Sequence, residues 1–268
     1  MRIAQFAACM KIISIVLLIA SHAFAAAPWV MLTEGAAEDN SITRTNAIVA
    51  LGTIQTPEAE KLVVAALADK ESAVRLAAVS ALGEQKSRAA IPKLRVALDD
   101  ESEEVSFLAA KALWDMGDRS GMDLLTAVLA GEQKTSSGFM KKQVVEAKST
   151  LRNPKKLAWM GAREGAGFLF GPLGFGVGFA ERMTRDGAAP ARALSATLLG
   201  QSKTPDAREE LEGGLDDKSP LVRAAVAKAL GGFSDQALIP KLESLLDDKN
   251  EAVRYMAAAS IVRIQKIW

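Results

Sequence analysis

Two hydrophobic patterns alternate along this chain, and each repeats with the period of an α-helix. The first is clearest within residues 217–231, where the apolar positions lie on one helical face. Its members are Leu221, Val222, Ala225, Val226, Ala229 and Leu230. The second follows a short polar segment, and its members are Leu238, Ile239, Leu242, Leu245 and Leu246. The two patterns predict a pair of amphipathic helices, each with one apolar face to bury.

This helix pair is one copy of a unit that recurs every 31 residues within each half of the chain. Each copy has an arginine slot, which serine occupies once. The slots are Arg44, Arg75, Ser106, Arg192, Arg223 and Arg254. An acidic residue precedes each slot by six positions, at Glu38, Asp69, Asp100, Asp186, Asp217 and Asp248. The halves match each other at an offset of 148, so the sequence predicts two blocks of three repeats.

Local signals delimit the helices of each copy. Asp217 and Ser219 supply N-cap chemistry, and Pro220 suits the first helical turn. Gly231 suits a helix C-terminus. One such hairpin cannot bury its apolar face alone, so the copies are expected to stack around a shared core. The predicted fold class is therefore all-α, an α–α superhelix.

One slot near the end of the second helix holds glycine in four copies and a bulky residue in the other two. The glycines are Gly52, Gly83, Gly200 and Gly231, and the bulky residues are Trp114 and Val262. Alanines surround this slot and allow neighbouring helices to approach closely.

The Asp-x5-Arg pairs and the runs of Val-Arg-x-x-Ala-x-x-Ala-Leu-Gly resemble the HEAT-repeat family, in the short bacterial form also found in phycobilisome lyases. The resemblance covers roughly residues 38–130 and 186–264. It implies a HEAT-like solenoid in which the repeated acids and arginines form a structural ladder between neighbouring units. The ladder residues would be Glu38, Arg44, Asp69, Arg75, Asp186, Arg192, Asp217, Arg223, Asp248 and Arg254.

The same resemblance bears on catalysis. Deoxyhypusine hydroxylases share this repeat type and hold iron with His-Glu motifs, which this sequence lacks. The lyases attach bilins, but the likeness to them extends only to the repeat. Because no nucleophile is placed beside a base, we expect no enzyme activity, no catalytic residue, no metal and no cofactor. A lyase-like enzyme is kept as an alternative.

The N-terminus has the pattern of a secretory signal peptide over residues 1–25. Arg2 and Lys11 precede a short apolar segment, and Ala23-Phe24-Ala25 is a small-x-small cleavage site. An uncleaved anchor is the alternative. The protein is thus expected to be exported to the periplasm or the exterior, and possible contact with a membrane surface stays open.

Cleavage would remove the chain's single cysteine, Cys9, and its single histidine, His22. A mature chain without them forms no disulfide, Cys–His nucleophile or Cys/His zinc site. It would carry 31 basic and 32 acidic side chains, a net charge of −1. Nucleic acid is therefore not an expected partner, because binding it requires many basic side chains at the phosphates.

An insertion separates the two blocks. The arginine slot expected at position 137 arrives at Arg192, so 55 extra residues interrupt the middle repeat. The predicted organisation is an N-terminal block at 28–130, an insertion at 131–186 and a C-terminal block at 187–268. Residues 28–40 are expected to cap one end of the solenoid, and Trp268 is expected to pack on the last helix at the other.

The insertion is basic first and then uncharged over residues 165–180. Its candidate contact residues are Lys141, Lys142, Lys155, Lys156, Phe168, Phe170, Phe175 and Phe179. Three interpretations stay open. The segment packs back on the solenoid, it dips aromatic side chains into a membrane surface, or it anchors a partner.

The function expected from these features is a secreted or periplasmic scaffold or adaptor that binds a protein or peptide. The partner would lie along a concave face lined by the second helices. Candidate residues there are Leu76, Ser80, Phe107, Lys111, Lys228 and Tyr255. The alternative is a membrane-associated envelope protein anchored by residues 165–180.

Overall fold

The computed structural model describes residues 27–130 and 189–266. This part of the chain contains twelve α-helices and no strand, which confirms the predicted α–α superhelix. Several predictions fall outside the described residues, namely the signal peptide, the insertion and the position of the last side chain. The residues concerned are Lys141, Lys142, Lys155, Lys156, Phe168, Phe170, Phe175, Phe179, Asp186 and Trp268.

The helices alternate between two layers. The inner layer contains the second helix of each unit: α2 (Ser41–Leu51), α4 (Ser72–Gln85), α6 (Glu103–Asp115), α8 (Ala189–Ser202), α10 (Pro220–Gly231) and α12 (Glu251–Gln265). The outer layer contains α1 (27–37), α3 (Pro57–Ala65), α5 (Ile91–Val96), α7 (Met122–Ala130), α9 (Pro205–Gly213) and α11 (Ile239–Glu243). Short 3₁₀ turns extend several outer helices.

Cap residues define where the outer helices begin. The Thr56 hydroxyl accepts a hydrogen bond from the Ala59 backbone N–H, and Pro57 occupies the first turn. Thr204 and Pro205 repeat this arrangement at the start of α9. Both pairs satisfy or remove backbone donors that the first helical turn leaves unpaired.

A left-handed residue follows most inner helices. These residues are Lys86, Gly117, Lys203, Ser234 and Lys266, with φ between 51° and 85°. The first four share one position of the repeat, and Lys266 follows a helix that is one residue longer. This conformation ends the helix and turns the chain toward the next outer helix.

The inner helices do not stack in chain order. Their spatial order is α8, α10, α12, α2, α4 and α6, so α12, the last of the described helices, packs against α2. The prediction that residues 28–40 cap one end was wrong, because α1 and α2 adjoin the C-terminal repeat. Within the described residues, the free sides of the stack are those of α6 and α8.

Position in the stack explains the two bulky residues in the glycine slot. Gly83 lies against Ala112 of the next inner helix, where an added Cβ would stand 3.0 Å from the alanine Cβ. Val262 is 1% exposed on α12, which adjoins α2. Trp114 lies on α6 at the end of the stack and is 42% exposed, with the Arg119 guanidinium 3.7 Å from its ring centroid. The type of residue in this slot therefore depends on where its helix lies in the stack.

The stack is strongly curved. Glu84 on α4 and Lys228 on α10 are three helices apart, yet their charges interact. Packed helices lie about 8–10 Å apart, so a straight stack would separate these two by about 24–30 Å. The surface that carries Glu84 and Lys228 is therefore the concave surface.

Candidate binding site

Bidentate ion pairs join neighbouring repeats. Arg44 Nε and Nη2 donate to the two carboxylate oxygens of Asp69 at 2.7 and 2.8 Å. The same contact recurs at Arg75–Asp100, Arg192–Asp217 and Arg223–Asp248. Each aspartate lies 25 residues after its arginine, so each pair links one repeat to the next.

The acid that stands six positions before an arginine contacts it through the backbone instead. Arg44 Nη1 donates to the Glu38 carbonyl at 2.8 Å, and Arg75 Nη1 donates to the Asp69 carbonyl at 2.9 Å. The Glu38 residue itself is exposed. Arg254 Nη1 likewise donates to the Asp248 carbonyl, and Arg254 Nη2 also pairs with the Glu251 carboxylate at 3.4 Å.

Each ladder aspartate also holds the start of an inner helix. Asp217 Oδ1 accepts from the backbone N–H of Ser219, the residue directly before α10, at 2.8 Å. The Ser219 hydroxyl is buried and makes no hydrogen bond, so the aspartate performs the capping expected of the pair. The ladder groups are thus occupied by structural contacts, and they leave few donors for a ligand.

A second group of charges lies on the concave surface. We call it the concave cluster, and its members are Glu84, Lys111, Lys203, Lys228 and Arg263. Lys111 and Lys228 share one position of the repeat, and Glu84 and Arg263 share the position four residues later. Residues four apart lie on the same side of a helix, so the repeat brings both positions to one surface.

Crowding on the concave surface perturbs these groups. Glu84 is solvent-exposed, but the protein around it displaces much of its water, and this desolvation raises its pKa to about 7 against the opposing effects of Lys228 and Lys111. Desolvation also lowers the pKa of Lys228 and that of Lys203, and nearby Arg263 lowers both further. The cluster therefore concentrates positive charge in partly dehydrated surroundings.

Few protein groups neutralise these cations. Arg263 Nη1 donates to the Lys228 carbonyl at 3.3 Å, and Lys203 Nζ lies 4.8 Å from the centroid of the Phe233 ring. Within residues 27–130 and 189–266, the Lys228 ammonium forms no ion pair or hydrogen bond. Lys111 differs, because it pairs with Asp115 on its own helix.

The concave residues expected from the sequence fall into three groups. Lys111 is exposed and Lys228 is partly exposed, as contact residues must be. Ser80 and Tyr255 are 6% and 8% exposed, so their expected role as contact residues was wrong. Leu76 and Phe107 are half-buried.

Three members of the cluster were missed: Glu84, Lys203 and Arg263. The signal that could have found Glu84 and Arg263 is their spacing of four residues from the lysine position.

Two further findings concern the described residues alone. Between 27 and 130 and between 189 and 266, no group of three or more His, Cys, Asp or Glu side chains is placed to hold a metal ion. None of the helices in these ranges has both the length and the apolar character that crossing a membrane requires.

The match to a sequence family agrees with the repeat geometry. The sequence family described as HEAT repeats matches residues 30–113, 60–136 and 178–263. The structure of human deoxyhypusine hydroxylase in complex with glycerol is similar at 19% sequence identity, with a TM-score of 0.36, over 90% of this chain and 99% of that one. No curated protein is significantly similar in sequence. The family match spans most of both blocks, and the chain belongs to the HEAT-repeat family.

Proposed function

We propose that this protein is an exported HEAT-repeat scaffold that binds a protein or peptide partner on its concave surface. The observation that carries the proposal is the concave cluster. Its cations lie on the inner side of a curved stack, and the Lys228 ammonium forms no ion pair or hydrogen bond within residues 27–130 and 189–266, although the charge of Glu84 acts on it. Arginines that only stabilise the repeats are instead buried against aspartates, as Arg75 is against Asp100.

Solenoids of this kind offer a continuous inner surface, because each repeat adds one helix to it. A partner bound there would contact several inner helices at once. The proposed role is binding without catalysis, since a chain that has lost Cys9 and His22 keeps few groups suited to nucleophilic or acid–base chemistry.

Site-specific photo-crosslinking tests the proposal. A photoreactive side chain at Lys111 or Gln201 would lie on the inner layer, and one at Glu58 or Glu209 would lie on the outer layer. All four positions are exposed, so they differ mainly in the layer they report on. We expect one defined adduct from the inner positions in living cells. Equal labelling from both layers would contradict a concave binding surface.

Export and membrane contact are proposals that rest on the sequence pattern. Fractionation of the intact chain and of a chain lacking residues 165–180 tests both. Recovery of the intact chain from the cytoplasm would contradict export. A membrane-bound intact chain that becomes soluble on deletion would support the anchor, and two soluble forms would contradict it.

A further inference from the structure

Gly232 occupies a position of the repeat that otherwise carries a side chain. Its counterparts are Thr53, Glu84, Asp115, Gln201 and Arg263. The Gly232 backbone has φ −81° and ψ −11°, a right-handed conformation open to any residue. Glycine is therefore not required there by the backbone. Its missing side chain leaves room that the Lys203 ammonium enters, since a Cβ at this point would clash with Lys203 Nζ and would stand 3.2 Å from the Ala229 carbonyl oxygen.

Two cations reach into this space from neighbouring helices. Lys203 Nζ and Arg263 Nη2 both lie within 4 Å of the point where a Cβ on Gly232 would stand. Lys203 follows α8, and Arg263 lies on α12, so the space is bounded by groups from either side of α10. Lys228 lies one helical turn before Gly232, and its charge repels that of Arg263. We call this space, with Lys203, Lys228 and Arg263, the Gly232 cradle.

The charges in the cradle do not balance. Three cations converge, and Glu84 is the carboxylate of the described residues whose charge acts on Lys228. Like charges held together in partly dehydrated surroundings raise the free energy of the unoccupied protein. An anion between them would lower it, and it would form hydrogen bonds strengthened by charge.

We propose that the Gly232 cradle binds the carboxylates of an acidic peptide segment of the partner. This inference rests on the proposed function and names the chemistry of the partner. Charge complementarity supports an anionic segment. The curved inner layer supports a peptide, because successive side chains can contact successive helices on either side of the cradle.

A first experiment tests the anion preference of the cradle without any ligand. Gly232→Glu places a carboxylate among the three cations, and Gly232→Gln adds a neutral side chain of nearly the same size. We expect the Glu variant to unfold at a higher urea concentration than the Gln variant at pH 8. Equal midpoints, or a less stable Glu variant, would overturn the proposal.

A second experiment measures binding to the intact protein. Fluorescence anisotropy would compare a labelled Glu-rich peptide with a Gln-rich peptide of the same length. We expect the acidic peptide to bind about tenfold more tightly or better, and Lys228→Gln and Gly232→Glu to remove the difference. Lys203→Asn removes another cation of the cradle. Asparagine is the mildest replacement there, because it tolerates the left-handed backbone at that position.

Matched controls separate the cradle from general charge effects. Lys61→Gln removes one exposed cation from outer helix α3 and should leave peptide affinity unchanged. An equal loss of peptide affinity in Lys61→Gln and Lys228→Gln would overturn the proposal. It would also be overturned if inorganic phosphate displaced the acidic peptide at far lower concentrations than acetate does. A photo-crosslinked inner-layer partner with no acidic segment would overturn the inference and leave the proposed function standing.

Discussion

The Thr43 hydroxyl donates a hydrogen bond to the carboxylate of Glu251, with distances of 3.1 and 3.2 Å to its two oxygens, although the two residues are 208 positions apart. Thr43 lies in the first turn of α2, and Glu251 begins α12. The contact joins the start of the first block to the end of the second. The stack is thus continuous in space across two segments that are remote in the chain.

A circular permutant tests this order directly. The permuted chain would run from 189 to 266, continue through a short flexible linker, and then run from 27 to 130. Lys266 has the same left-handed conformation as Lys86, after which the chain enters the next outer helix within a few residues. We therefore expect a linker of a few residues to suffice, and cooperative thermal unfolding followed by circular dichroism. Non-cooperative unfolding would contradict the assigned stack order.

The block junction is also closely packed at Gly35. A Cβ on Gly35 would stand 2.5 Å from ring atoms of Tyr255, which is buried on α12. Gly35→Ala should therefore lower the free energy of unfolding by about 1–3 kcal/mol through overpacking. Gly213→Ala is the matched control, since nothing lies within 4 Å of the added atom. It should be neutral or stabilise α9 by up to about 1 kcal/mol. Urea titration of both variants checks the pair of outcomes.

The ladder should matter far more than exposed ion pairs. Arg223 and Asp248 are 16% and 9% exposed, so Arg223→Met leaves a carboxylate buried without its partner. We expect a loss of about 3 kcal/mol in the free energy of unfolding. Lys241→Met breaks a more exposed contact to Glu212 and should cost less than about 1 kcal/mol. Similar losses in the two variants would contradict the structural role of the ladder.

Acid should weaken the ladder. Burial alone raises the pKa of Asp248, but hydrogen bonds from Arg223 and the Asn250 backbone N–H outweigh it and hold that pKa below the usual 3.8. The folded state then binds protons less readily than the unfolded state, so this stability is present above pH 3.8 and is lost as pH falls through the folded pKa. The difference in the free energy of unfolding between Arg223→Met and the wild type should become smaller in that pH range. A difference that stays constant down to pH 2 would contradict the predicted acid sensitivity of the ladder.

Glu84 should make the free energy of unfolding change with pH in the opposite direction, and in a separate pH range. Desolvation raises its folded pKa from 4.5 to about 7, so the folded state retains a proton that the unfolded state releases. The favourable contribution is fully present below pH 4.5 and is lost as pH rises through about 7. Glu84→Gln should flatten this part of the stability profile, measured by urea unfolding between pH 4.5 and 8. An unchanged slope would contradict the assignment.

The same titration should appear in peptide binding. Above pH 7 a charged Glu84 competes with an acidic peptide for Lys228, so affinity should fall as pH rises from 6 to 8. Glu84→Gln should bind more tightly at pH 8 and lose most of this pH dependence. An equally steep dependence in the variant would indicate that another group controls it.

Much of the fold follows from the repeat. The pattern around Val222 and Leu230 predicted a helix that the structure places at Pro220–Gly231, because the helical period and the cap residues indicate the same segment. The direction of the ladder was harder to predict. In a perfect repeat Asp69 has fixed offsets to both Arg44 and Arg75, so spacing alone cannot tell which arginine its carboxylate meets.

Stack order and the concave cluster depend on information that a periodic pattern does not carry. The faces of similar repeats are interchangeable, so nothing in the period says that α12 meets α2. Curvature is the sum of small rotations between repeats, and only that sum brings Glu84 close to Lys228. The substitution of Val262 for glycine was the one local sign that this copy has an unusual neighbour.

The position of α12 has a consequence for how the chain acquires its structure. Of the described helices, α12 is synthesised last, yet it is third of the six inner helices in space, with α10 on one side and α2 on the other. Until it emerges, the apolar flank of α2 has no partner among the described helices. Long-range contacts of this kind raise the contact order and slow folding. The N-terminal block can therefore begin to fold early, but its completion must wait until α12 has been synthesised.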